Sequence, residues 1–194
     1  MSSEESHPLE PFLPPGARIL FLGSFPPPRA RWSMDFFYPN FNNDFWRIMG
    51  LVHFGDAGRF VAPGGRRFNC EAVVEFCRGA GLAFYDTASR VNRLKDNASD
   101  AFLQILEPTD VGALLSQIPE CHTVVTTGGK ASEQFFELLG ADSPAAVPAP
   151  GTYADVVAFG RAVRWWRMPS TSRAYPLPLP AKAAAYAQLW PKTQ

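Results

Sequence analysis

Five short stretches hold most of the side chains suited to chemistry: LGSFPPP (22–28), FYPNFNNDFW (37–46), LAFYDTASR (82–90), TTGGKASEQF (126–135) and MPSTSRAY (168–175). Asn43 carries a neutral amide, which can accept from a water and orient it without bringing charge. Asp86, when ionised, only accepts hydrogen bonds, so its natural counterpart is an N–H group. Ring faces at Phe25 and Tyr38 suit a planar partner. Gly128 and Gly129 permit close backbone approach, and N–H groups at a helix start there, with Lys130 beside them, attract phosphate or a carbonyl oxygen. Each stretch also has a plainer reading. Gly23 and Ser24 lead into an ordinary turn after a core strand, Asn43 caps a helix, and Asp86 is solvated at a strand end. The glycine pair makes a tight strand-to-helix turn, and Ser170, Thr171, Ser172 and Arg173 make a polar surface loop.

Other chemistries find little support. Cys70, Cys77 and Cys121 are odd in number with no CxxC pair, against a disulfide framework or a zinc or iron–sulfur site. His7, His53 and His122 match no metal or triad spacing, so none is assigned a role. The GGK turn lacks the full phosphate-loop pattern of a nucleotide triphosphatase. A formal net charge of zero argues against a protein that coats nucleic acid nonspecifically. Arg29, Arg31, Arg66, Arg67, Arg164 and Arg167 fall near the stretches above and could build a local basic rim, although solvated surface charge is the plainer reading of each.

The elements that must position these residues follow from periodicity. With 194 residues, 46% of them hydrophobic, the chain suits a single domain over residues 17–194, preceded by a polar, Pro-rich and flexible lead-in at residues 1–16. ARILFLGSF reads as a buried strand running into the rigid PPP loop. NDFWRIMGLVHF has helical spacing with Asn43 as N-cap, and Asn69 caps a second helix, CEAVVEFCRGAG, before the strand LAFYDT. TDVGALLSQI and KASEQFFELLG are two more helices on either side of the strand HTVVTTG, and DVVAFG with RAVRWWRMP forms a strand-like pair before a terminal helix, AKAAAYAQLW. Strands alternating with helices imply an α/β sandwich with a largely parallel sheet, whose ligands bind at loops beyond the strand carboxyl ends. No apolar run is long enough to span a bilayer, and the opening MSSEESHPLEPF lacks a signal peptide's basic start and apolar stretch. A cytoplasmic, monomeric protein without a membrane partner is expected.

In order and spacing the five stretches resemble the uracil-DNA glycosylase superfamily, nearest its hypoxanthine-DNA glycosylase branch and more distantly the mismatch-specific glycosylases. The likeness runs from Ile19 to Tyr186. It implies a three-layer α/β/α sandwich with a central, mainly parallel four-stranded sheet. It further implies a monofunctional glycosylase that flips a deaminated base, of uracil or hypoxanthine type, out of DNA and hydrolyses its N-glycosidic bond without metal or cofactor. On this resemblance Asn43 is the catalytic residue that orients water. Tyr38 and Phe25 sandwich the base, Gly23 and Ser24 form the floor, Asp86 reads the ring N–H, and backbone amides near Ser24 and Gly128 bond its oxygens. Lys130, Ser170, Thr171 and Ser172 contact phosphate, with Arg173 as wedge or phosphate clamp.

The sequence departs from the superfamily at two places. Phe25 stands where many members have Asp or Asn, and Met168 where many have His, so neither supplies a polar group. A catalytically silent nucleic-acid-binding module on the same fold is the alternative, and a small-molecule hydrolase a third reading.

Overall fold

Ile19, Leu20, Phe21 and Leu22 are apolar without alternation, which a strand needs only when both its faces are covered. In the computed structural model, which describes residues 3–94 and 102–191, that strand lies inside a sheet with helices on both sides. The outermost ends of the expected lead-in and domain fall outside the described residues. In chain order the elements are β1 (Ser3–Ser6), β2 (Ile19–Gly23), α1 (Phe45–Phe54), α2 (Cys70–Ala80), β3 (Leu82–Asp86), β4 (Ala88–Arg93) and β5 (Leu103–Pro108). There follow α3 (Val111–Gln117), β6 (Thr123–Thr127), α4 (Gly129–Leu139), β7 (Thr152–Ala158), β8 (Arg161–Met168) and α5 (Leu179–Ala187).

The main sheet has the order β3-β2-β6-β8-β7. Its first four strands are parallel, as expected, and β7 adds a fifth, antiparallel strand through a hairpin with β8. Alternate side chains feed two cores. Ile19, Phe21, Leu82, Phe84 and Val125 meet α1, α2 and Tyr186 of α5 on one face. Leu20, Leu22, Val124, Val163 and Trp165 meet α3 and α4 on the other. The result is the expected three-layer α/β/α sandwich.

Local signals explain the helix ends. The Asn69 side chain accepts from the Ala72 N–H, and Gly81, left-handed at φ 67°, closes α2. Asp110 caps α3 in the same way, accepting from the Ala113 N–H. At α1 the cap position falls one residue later than expected, at Asp44, but Asp44 makes no side-chain cap bond; the capping bond comes from Asn43, whose Oδ1 accepts the Phe45 N–H.

Two further corrections concern the N-terminal half. The lead-in is not a free tail, because β1 pairs antiparallel with β4, and Phe12 bridges Phe84 at the outer edge of β3. Moreover β1, β4 and β5 form a second, three-stranded sheet in the order β1-β4-β5. It follows Asp86 directly, and its cluster of Ala88, Val91 and Leu103 packs against Phe25 of the PPP loop.

Candidate active site

Parallel strands put their carboxyl ends on one edge of the sheet, and here those ends are Gly23, Asp86, Thr127 and Met168. Above them opens a cavity of about 560 Å³, in the ordinary range for a small-molecule pocket. Gly23, Ser24, Phe25, Tyr38, Asn43, Asp86, Ser170, Thr171 and Ser172 all line it, so residues far apart in sequence share one space. Gly128, Lys130 and Arg173 do not line it.

Asn43 is held on every side. Its backbone N–H donates to Asn40 O at 2.8 Å, and its carbonyl accepts from Arg47 Nη1 at 3.1 Å. The side-chain Oδ1 accepts the Phe45 N–H at 2.9 Å. That bond fixes which end of the amide is oxygen, since a backbone donor requires an acceptor. The Nδ2 group has no protein partner among the described residues, and Asn43 lines the cavity. Across the cavity mouth, Asn43 bridges Ser172, and the Asp44 N–H donates to Thr171 O at 2.9 Å. These bonds tie the entrance of α1 to the serine-rich loop.

Asp86 is buried at the end of β3, its side chain only 10% exposed. Oδ2 takes a 2.8 Å hydrogen bond from His7 Nε2, whereas Oδ1 rests over Gly23. A Cβ at Gly23 would stand 2.5 Å from that oxygen, so glycine is required here for close approach. Beside it, the Tyr85 hydroxyl is pushed up to about 12, first by burial and then by the charges of Asp86, Glu10 and Glu107.

Tyr38 has φ 51°, a left-handed backbone that an aromatic residue rarely adopts and that costs about 1–3 kcal/mol. Contacts at both the ring and the hydroxyl hold it there. Its ring stacks on Phe45 with centroids 3.9 Å apart, and its hydroxyl shares a 2.7 Å hydrogen bond with Thr127 Oγ1. Phe45 therefore covers one face of the ring. Phe25 meets the His7 ring edge-on at 5.3 Å.

The serine-rich loop is braced from below. Lys182 of α5, 1% exposed, donates to Asp44 Oδ2 at 3.0 Å and to Ser172 O at 2.8 Å. Buried Tyr186, its hydroxyl pushed well up by burial and by nearby Tyr38, donates to Pro169 O at 2.8 Å. Ser170 Oγ accepts the Ser172 N–H and Ser172 Oγ accepts the Ala174 N–H, each at 3.2 Å.

Several expected roles meet a different geometry. The Gly128 N–H donates to Met168 O at 3.0 Å, continuing the sheet, so it is spent before any ligand arrives. Instead, Gly128 at φ 93° lets Ser170 pack close. Arg173 is half exposed but tied to Asp44 at 3.2 Å and to Asn42, and Met168 is fully buried beneath the cavity. The basic rim narrows to one residue. Arg31 lines the cavity and is exposed, while Arg29 pairs with Asp35, Arg164 with Asp155, and Arg167 donates to Pro148 O. Arg66 and Arg67 are exposed away from it.

Sequence reasoning missed His7, Lys182 and the particular place of Arg31. The partners of His7 and Lys182 lie 79 and 138 residues away, so no local spacing signals them. Among the described residues, no three His, Cys, Asp or Glu side chains are grouped as a metal site needs.

The geometry has a relative among solved structures. A solution NMR structure of a "putative Uracil DNA glycosylase" from Methanosarcina acetivorans superposes with a TM-score of 0.63 at 18% identity, covering 97% of this chain and 96% of that one. No family model and no curated protein matches the sequence. The protein therefore has a uracil-DNA glycosylase-like fold over essentially its full length.

Proposed function

We propose that the protein is a DNA glycosylase that draws a deaminated base into the cavity and hydrolyses its N-glycosidic bond. The observation that carries this reading is the meeting of Asn43, Asp86, Tyr38 and the serine-rich loop in one cavity at the carboxyl edge of the sheet. The likeness in fold to a structure bearing a glycosylase name supports it.

Deamination turns the ring nitrogen of adenine or cytosine from a hydrogen-bond acceptor into an N–H donor, and places a carbonyl beside it. A carboxylate repels the first arrangement and accepts from the second. Asp86 Oδ1, over Gly23, is placed to accept that N–H, which selects hypoxanthine, uracil or xanthine against adenine and cytosine. The carbonyl oxygen is left to the backbone of the Gly23–Phe25 turn. Phe25 and Tyr38 supply apolar surface for the ring, with Tyr38 backed by Phe45.

Bond cleavage builds oxocarbenium character on the sugar, and a positioned water completes hydrolysis. Asn43 orients that water through Nδ2 and the remaining lone pair of Oδ1, its first lone pair being engaged by Phe45. Arg31, with Ser170 and Ser172, which line the same cavity, contacts the flanking phosphates. Lys130 and Arg173, outside the cavity, reach backbone further along the duplex; the base itself is handled without metal or cofactor.

A silent binding module on the same fold draws support from Phe25 and fully buried Met168, which give the cavity no polar group. One panel separates the two. Duplexes with a single uracil, hypoxanthine or xanthine should gain alkali-labile sites on incubation, and those with only normal bases should stay intact. Asp86→Asn should lower excision of the preferred lesion by about tenfold or more and change the ranking of lesions. Intact strands for every lesion, despite tight binding, would establish the silent module instead.

A further inference from the structure

The Asp86 carboxylate is shared between the cavity and the N-terminal segment. His7 Nε2 lies 2.8 Å from Oδ2, and the imidazole is 2% exposed. The ring is fixed by Tyr85 at 4.4 Å and Phe25 at 5.3 Å, and its backbone N–H donates to Ser89 O at 2.8 Å. At the other ring nitrogen, Nδ1 lies 3.1 Å from the Leu9 N–H and 2.9 Å from Leu9 O. If Nδ1 accepts the Leu9 N–H, the ring proton sits on Nε2. If Nδ1–H donates to Leu9 O, an ionised Asp86 still requires a proton on Nε2, because two acceptors at 2.8 Å would repel.

We propose that His7 is a positioning residue for base recognition: it donates Nε2–H to Asp86 Oδ2, sets the plane of the carboxylate and leaves Oδ1 as the oxygen offered to the base N–H. The proposal rests on the reading of Asp86 given above. It makes β1 and the residues that follow it part of the specificity apparatus, for a substrate whose ring nitrogen carries hydrogen.

The surroundings are built to hold that bond. Glu5 of β1 takes a bidentate pair from Arg93 at 2.8 and 3.1 Å, and Arg93 Nη2 also donates to Pro26 O at 3.1 Å. One buried guanidinium thus ties β1, β4 and the loop bearing Phe25 into a single unit. Phe12 exchanges backbone hydrogen bonds with Phe84, at 3.0 and 2.9 Å, which pins the chain beyond His7 along the edge of β3. A buried carboxylate without a partner is costly, and among the described residues His7 supplies the one side-chain hydrogen bond to the Asp86 carboxylate, the Thr109 hydroxyl being engaged by the Asp86 backbone carbonyl instead.

The test compares full-length His7→Phe, which keeps a ring and removes the donor, with His7→Gln, which keeps an N–H donor. Single-turnover excision of the preferred lesion should fall about ten- to hundredfold in His7→Phe and stay within about threefold of wild type in His7→Gln. In an Asp86→Asn background, the two substitutions should differ little. Equal rates for both single variants, or losses that simply multiply with Asp86→Asn, would overturn the proposal. Nitrogen NMR of labelled histidine needs no turnover and so separates this inference from the glycosylase reading. His7 Nε2 should be protonated in the wild type and its resonance should move in Asp86→Asn. An unprotonated Nε2, or a resonance indifferent to that change, would overturn the pairing even if excision is observed; an inactive wild type with the expected resonances would sink the glycosylase reading and leave the pairing standing.

Discussion

Gly23 has no side chain because Asp86 Oδ1 occupies the place a Cβ would need, 2.5 Å away. The carboxylate cannot yield easily, since His7 holds its other oxygen. Gly23→Ala is therefore expected to rotate or displace the carboxylate and reduce excision by about a hundredfold, with only a modest loss of stability. Rates and melting temperatures of the pure variant check this; unchanged activity would show that Oδ1 is not the oxygen that meets the base. At this scale the sequence was informative about types and silent about pairs. Asn43, Asp86 and the serines stood out because their neighbours matched a pattern. His7 did not, because what gives it meaning is a carboxylate on another strand. Lys130 looked suitable from its place at a helix start and Arg173 from the loop's resemblance, yet a cation's use depends on which anion it already faces, and Arg173 faces Asp44.

Among the elements, α1 and α5 are pinned together beneath the serine-rich loop by Asp44 and Lys182. Removing one member of a buried pair strands the other. Lys182→Met should cost about 3 kcal/mol, near the lower end for such pairs because Arg173 still serves Asp44. Urea unfolding checks the figure, and a loss below about 1 kcal/mol would show that the pair does not brace the loop. A second effect sits where α1 meets α2 and the chain just beyond α5. His53, packed on Phe76 and Trp190 at 4.9 and 4.5 Å, has its pKa lowered from 6.5 by burial, which outweighs its favourable place in the last turn of α1. The unfolded chain then takes up the proton more readily than the folded one. The stability His53 contributes is full above its ordinary value and is lost as pH falls through the lowered one. His53→Phe should flatten the acid side of the stability profile, read as urea midpoints between about pH 7 and pH 5, and an unaltered slope would contradict it. The helices and main-sheet strands were legible because caps such as Asn69 and runs such as ILFLG announce themselves. The second sheet was not. SEES is wholly polar, ASRVNR nearly so, and they pair because β4 offers an edge and Arg93 offers Glu5 a partner.

Taken whole, the molecule carries no net charge, so any hold on DNA must come from local cations such as Arg31 rather than from its overall field. Its affinity should accordingly fall with salt by a slope reflecting a few phosphates. The fold class was readable in advance because alternating strands and helices admit few arrangements, whereas the cavity's shape was not, since it depends on side chains meeting across the sheet edge. The central claim is that Asn43 performs chemistry in that cavity on a base delivered by DNA. The most direct measurement is single-turnover release of the preferred lesion by wild type and Asn43→Ala, with duplex affinity measured in parallel. Near-complete loss of release, by about a hundredfold or more, with affinity within about threefold, is the predicted result. An Asn43→Ala protein that releases the base at the wild-type rate would contradict the account.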